Sequence, residues 1–139
     1  MKTEDRATLS ASGRLNFPPR LRAGVGDSFV IAKAIRERCL QVYSKEHWDE
    51  FEKNLYRDND MLDVDATLRD MDKRYASVDE QGRFAIPAAF REFAGLETEV
   101  HFKTVGRKVE FWNKEELDKT MAAAAASKEE RLKRMVFRG

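Results

Sequence analysis

Residues 10–23 read SASGRLNFPPRLRA and residues 79–92 read DEQGRFAIPAAFRE. At an offset of 69 positions the chain therefore writes Gly-Arg, apolar-x-apolar, Pro and then apolar-Arg twice. The same offset carries Leu40, Val42, Tyr43, Lys45 and Glu46 onto Val109, Phe111, Trp112, Lys114 and Glu115. Both ends of a roughly 40-residue unit match, so the chain holds two copies of one supersecondary unit and is expected to fold as a pseudo-symmetric pair. With 42% apolar residues, enough is available to bury a core.

The signals come in the same order in each copy. A short strand (7–9; 77–78) runs into a turn in which Gly13 or Gly82 takes positive φ. A second strand follows, Leu15-Asn16-Phe17 or Phe84-Ala85-Ile86, whose period-2 apolar residues bury one face. Pro18 or Pro87 ends it, because proline donates nothing to a ladder but suits the first turn of a helix. Short helices are expected over 19–23 and 88–94, closed by Gly26 and Gly95. A hairpin comes next, pairing 28–32 with 39–43 and 100–104 with 109–112, the latter turning at Gly106-Arg107. Ser44 and Asn113 each cap a helix, and the first of these carries Trp48, Phe51, Leu55 and Tyr56 as core residues. Val64, Leu68, Met71 and Tyr75 recur at helical spacing between the copies. Ser127-Lys-Glu-Glu130 is a second capping pattern beyond the alanine run, predicting another helix in the tail. The expected organisation is a first unit over 1–56, a connecting helix over 57–75, a second unit over 76–121 and a helical tail over 122–139.

Composition excludes several functions. The first residues lack the apolar stretch of a signal peptide, and no apolar run approaches the roughly 18 residues that cross a bilayer, so a cytoplasmic protein without membrane contact is expected. Cys39 is the only cysteine, which rules out an intrachain disulfide and a multi-cysteine zinc site. His47 and His101 stand in no acid–base or metal-ligand spacing, and Gly24-Val-Gly26 lacks the rest of a phosphate loop. No enzyme, cofactor, metal or small-molecule substrate is expected. The formal charge of +1 conceals an asymmetry: residues 1–45 carry +5, residues 46–80 carry −7 and residues 81–139 carry +3. A basic face toward nucleic acid and an ordinary solvated surface both fit that distribution.

The repeated turn places an arginine at the base of a tight bend. Asp79, four residues before Arg83, can reach across and fix the guanidinium fork. Such an arginine reads guanine or clamps phosphate; the other reading is a structural Asp–Arg pair bracing the turn. Spacing alone leaves both open.

These residues resemble the MraZ family, double-copy members of the AbrB-like swapped-hairpin superfamily. The resemblance covers most of residues 7–120. It is carried by Asp79-Glu-Gln-Gly-Arg83, Phe84–Pro87, Phe90-Arg-Glu-Phe-Ala-Gly95, Gly26-Asp-Ser-Phe29, Cys39-Leu-Gln-Val-Tyr43, Lys45–Trp48 and Val109-Glu-Phe-Trp112. It implies an α+β fold in which two AbrB-like swapped-hairpin units interleave into a pseudo-dimeric β-barrel with flanking helices. It further implies subunits assembled as a homo-oligomeric ring. It also implies a nucleoid-associated transcriptional regulator that binds short direct repeats of double-stranded DNA in its own promoter, ahead of the division and cell-wall gene cluster, and represses it. Arg14 and Arg83 match the family's DNA-contacting arginines, and Asp79 matches its motif acid. Ser10 stands where the first copy usually has Asp, so Arg14 is expected to be held less firmly. Nearby Arg6, Arg20 and Arg22 would then hold phosphates. The N-terminus lacks the usual Phe-x-Gly opening, and the chain ends Val136-Phe-Arg-Gly139 instead. Two alternatives keep the fold: an antitoxin-type relative that also binds a protein partner, and a structural ring without a DNA role.

Overall fold

The computed structural model describes residues 6–136. Met1–Asp5 and Phe137–Gly139, the last three residues of the closing Val136–Gly139 string, lie outside the described residues. In chain order the elements are β1 (Arg6–Thr8), β2 (Arg14–Asn16), α1 (Pro19–Arg22), β3 (Ser28–Lys33), β4 (Leu40–Ser44), α2 (Lys45–Asp58) and α3 (Met61–Met71). They continue with β5 (Arg74–Ser77), β6 (Arg83–Ala85), α4 (Ala88–Ala94), β7 (Glu99–Val105), β8 (Lys108–Trp112) and α5 (Lys114–Arg134).

The two copies exchange strands. A curled antiparallel sheet runs β1-β7-β8-β4-β3-β5, and a two-stranded ribbon pairs β2 with β6. The first strand of each copy thus lies on the hairpin of the other: β1 pairs with β7, and β5 with β3. Leu15 faces Phe84 in the ribbon and Gln41 faces Glu110 at the sheet centre, and each pair is one residue facing its own repeat. Both pairs mark the pseudo-two-fold axis. The fold is α+β with two pseudo-symmetric copies, as the repeat implied, and swapped, as the resemblance implied.

The tight turns form, but the strands flanking each turn do not continue as a pair. Ser10 N–H donates to Arg14 O and Gly13 N–H to Ser10 O, and Asp79 and Gly82 repeat both bonds in the second copy. Beyond the turn β1 and β2 part to different partners, so the hairpin expected within each copy is replaced by pairing between copies. Two crossed bonds seal the exchange: Phe17 N–H to Gly82 O at 2.9 Å, and Ile86 N–H to Gly13 O at 2.8 Å.

Alternation explains the core. Leu15 and Phe84 turn inward while Arg14, Asn16, Arg83 and Ala85 turn outward. The inner residues meet Phe29, Ile31, Leu40, Val42, Val100, Phe102, Val109 and Phe111 from the curled sheet. Phe17 sits at the centre, its ring 5.4–6.2 Å from those of Phe29, Phe84, Phe102 and Phe111. On the sheet's outer side Trp48 of α2 and Met71 of α3 cover Val30, Ala32 and Tyr43, while Leu117 of α5 packs near Trp112 and Cys39.

Several local readings change. Ser44 and Asn113 cap α2 and α5 as expected, accepting from His47 N–H and Glu116 N–H. Tyr56 is not core; it is exposed and donates to Asp65 at 2.6 Å. Asp72 adopts φ +48 and ends α3, so Tyr75 falls on β5, exposed, despite its helical spacing. The Ser127 capping pattern starts no new helix: α5 runs unbroken from Lys114 to Arg134, and the Ser127 hydroxyl accepts from Arg131.

Candidate nucleic-acid interface

The ribbon's outer face carries the two motif arginines. Strand alternation holds Arg14 and Arg83 outward because their neighbours Leu15 and Phe84 are locked in the core, with 45% and 47% of each arginine side chain exposed. In the second-copy turn, the Asp79 carboxylate accepts from the backbone N–H of Gln81 at 2.9 Å and of Arg83 at 3.0 Å. Its other oxygen accepts from Arg14 Nη2 at 3.0 Å and stands 3.5 Å from Arg83 Nε. The backbone N–H of Arg83, then that of Gln81 and the two guanidiniums, hold the Asp79 carboxyl below the usual aspartate range.

In the first-copy turn, the Ser10 hydroxyl accepts from Arg14 N–H at 3.0 Å and lies 3.1 Å from the Ser12 hydroxyl. Serine thus keeps the turn bond and omits the charge. The expected looser hold on Arg14 does not follow, because Arg14 takes its carboxylate from the opposite copy. One acid serves two guanidiniums, and the pair retains an excess positive charge at a solvent-facing surface.

Beneath each turn lies an arginine that the sequence repeats but whose task its spacing did not disclose. Arg22 and Arg91 occupy equivalent positions on α1 and α4. Arg91 packs its guanidinium under Gly13 and donates to Ile86 O at 3.1 Å. Arg22 lies under Gly82, pairs with Asp27 at 3.6 Å and is only 19% exposed. Each arginine braces the turn glycine of the other copy. A Cβ at Gly13 would stand 2.5 Å from Arg91 Nε, and one at Gly82 would stand 3.2 Å from Arg22 Nη1, which gives a reason for glycine beyond the positive φ of both turns.

The remaining named arginines are dispersed. Arg6 lies on the edge strand β1, 3.9 Å from Glu99. Arg20 lines a recess of about 380 Å³ with Gly24, Thr104, Gly106, Arg107 and Lys108, where α1 meets the β7–β8 turn. The structure therefore brings Arg14, Arg83, Asp79 and Ser10 together, places Arg22 beneath them, and sets Arg6 and Arg20 elsewhere.

Away from the ribbon, Glu37, Cys39 and Glu110 bring one donor atom each within 4.8 Å of one another. Burial, with Glu110 and Glu37 adding, pushes the Cys39 thiol far above its ordinary range, so it is a protonated, packed side chain. No helix of the described residues is long and apolar enough to cross a membrane.

Comparison with known proteins agrees with the repeat. A family described as "MraZ protein, putative antitoxin-like" matches residues 2–72 and again residues 73–139. A protein of Desulforamulus reducens named "Transcriptional regulator MraZ" is 35% identical over 133 residues, covering 91% of each chain. A protein of the same name from Heliobacterium modesticaldum is 34% identical over 139 residues, covering 96% of this chain and 94% of its own. A third, from Acetivibrio thermocellus, is 37% identical over 117 residues, with 80% and 79% covered.

Proposed function

Because the chain belongs to the MraZ family, we propose that it is a DNA-binding transcriptional regulator whose β2–β6 ribbon enters the major groove. A two-stranded ribbon fits that groove, and outward guanidiniums match the O6 and N7 acceptors of guanine. The observation that carries this reading is the Arg14–Asp79–Arg83 cluster on the ribbon's solvent face. Both guanidiniums are about half exposed, so they are open to a ligand as well as to Asp79.

In this reading the target is short direct repeats in the protein's own promoter, ahead of the division and cell-wall gene cluster, and the outcome is repression. The setting is the cytoplasm, at the nucleoid. Few contacts per chain make single-subunit affinity low, so a homo-oligomeric ring gains by engaging several repeats at high effective concentration. Tyr56, Met61 and Leu62, exposed beside the α2–α3 connection, are available for such self-association. The test is a gel-shift titration with the DNA preceding the gene and a scrambled control at several salt concentrations. Preferential, salt-sensitive binding is expected. Equal or absent binding overturns the reading.

The second reading, an antitoxin-type regulator that also holds a protein partner, draws on the family's description and on α5, a 21-residue helix with no buried residue. Co-purification of a small stoichiometric partner would favour it.

A further inference from the structure

The axis through Leu15 and Phe84 would make the ribbon's outer face two-fold symmetric if the two copies carried the same residues there. They do not. Position 16 is Asn and its repeat mate, position 85, is Ala, and both are exposed. The register sets Asn16 opposite Arg83 and Ala85 opposite Arg14. Among the described residues the Asn16 amide has no hydrogen-bond partner. Its Oδ1 lies beside the second turn, 3.3 Å from where a Cβ of residue 82 would stand and on the same side of that glycine as the Arg22 guanidinium. One end of the ribbon thus offers a guanidinium beside an uncommitted carboxamide, and the other a guanidinium beside a methyl group.

These pairs match different base edges. A carboxamide bonds N6 and N7 of adenine, a small apolar side chain contacts the thymine methyl, and a guanidinium bonds O6 and N7 of guanine. The paired side chains stand directly opposite across the ribbon, roughly 5 Å apart at Cβ, within reach of neighbouring base pairs roughly 3.4 Å apart. The turns reinforce the difference, since Asp79 engages Arg14 more closely than Arg83 and Ser10 has no charge to return the contact.

Resting on the DNA reading above, we propose that Asn16 and Ala85 determine specificity and give the ribbon a direction. The ribbon then reads an adenine beside the guanine met by Arg83, and a thymine beside the guanine met by Arg14. A symmetric reader would accept an inverted site as readily as a direct one. A directional reader requires its sites to run in one sense.

The test is selection of bound duplexes from a random pool by the full-length protein, by Asn16→Ala and by the exchange Asn16→Ala/Ala85→Asn. Circular dichroism confirms that each variant folds. The parent protein should enrich a non-palindromic sequence. Asn16→Ala should keep the guanines and lose roughly five- to 150-fold of its discrimination at the adenine. The exchange should move the adenine to the other guanine. A palindromic parent sequence, or an Asn16→Ala pool with unchanged base ratios, overturns the proposal while leaving DNA recognition intact. No enrichment by the parent overturns the DNA reading as well.

Discussion

Arg14 Nη2 donates to Asp79 Oδ2 at 3.0 Å, whereas Arg83, in the same turn as that aspartate, stands 3.5 Å from the same oxygen. The closer partner is 65 positions away in sequence. Strand exchange is what makes this possible: β2 lies beside β6, so each copy's arginine approaches the other copy's turn. Ser10 cannot return the contact to Arg83, and the cluster is left with two guanidiniums on one carboxylate.

Replacing Asp79 with Asn is expected to raise affinity for DNA of any sequence while lowering preference for the promoter. The amide oxygen can still accept from the N–H of Gln81 and Arg83, so the turn survives, but the charge that aims Arg14 and offsets the pair is gone. Anisotropy titrations on promoter and scrambled duplexes should show a steeper salt slope and a smaller affinity ratio. In the parent protein the Asp79 carboxyl titrates below its ordinary range. Its pairing is therefore complete above the ordinary carboxylate pKa of about 3.9 and is lost only as pH falls through the depressed folded value. A carbon-detected NMR titration of that carboxyl measures the midpoint.

Arg14→Ala and Arg22→Ala should separate contact from support. Arg14 faces solvent, so its loss should relax base preference by about 1–3 kcal/mol at one position and leave the unfolding midpoint nearly unchanged. Arg22 is largely covered, lies under Gly82 and pairs with Asp27, so its removal should lower the unfolding midpoint. If Arg22→Ala left stability unchanged and only flattened the salt slope, the bracing role would be wrong and a phosphate contact right.

Much of this fold is legible in the sequence because the repeat dictates symmetry, and because Gly13, Gly82, Pro18, Ser44 and Asn113 each answer a local stereochemical demand. What is not legible is pairing. Alternation in Leu15-Asn16-Phe17 says which face is buried, not which strand lies alongside, and so the turn at Ser10–Gly13 reads as an ordinary hairpin. Tyr75 extends a helical spacing past Asp72, whose left-handed conformation no apolar pattern announces. Ser127 fits a cap equally well whether or not the preceding alanines stop, and their propensity carries the helix through it. At the site, the motif names Arg14, Arg83 and Asp79, but only the exchange of strands decides that Arg14 owns the aspartate. Arg91 is visible as a repeat of Arg22, yet its place under Gly13 depends on that same exchange.

Stability should fall as the solution is acidified through the range of His47. Its ring packs 4.9 Å from Tyr43, and its Nδ1 is buried with no partner among the described residues. Burial first, and then Arg107 and Lys108 against the opposing Glu50, lower its pKa below the ordinary 6.5. The unfolded chain therefore binds a proton near pH 6.5 that the folded chain still refuses. The stabilisation is full above that value and drains away as pH falls toward the folded pKa. Urea midpoints should be lower at pH 5.5 than at pH 7.5, and His47→Gln should reduce the difference. An identical pH dependence in the variant would assign it to other groups.

Gly13→Ala should destabilise the protein more than Gly106→Ala, and the comparison isolates the role of Arg91. Both glycines have positive φ, +83 and +58, so alanine meets backbone strain of about 1–3 kcal/mol at either. At Gly106 a Cβ meets nothing within 4 Å, whereas at Gly13 it stands 2.5 Å from Arg91 Nε and must displace the guanidinium from Ile86 O. Gly82→Ala should fall between them, since its nearest neighbour, Arg22 Nη1, is 3.2 Å away. Chemical denaturation of Gly13→Ala, Arg91→Ala and the double variant completes the argument. Once the guanidinium is gone the methyl has space, so the double variant should lose less than the two single losses added together. Strict additivity would mean that the arginine moves aside at no cost, and that the turn owes its glycine to backbone conformation alone.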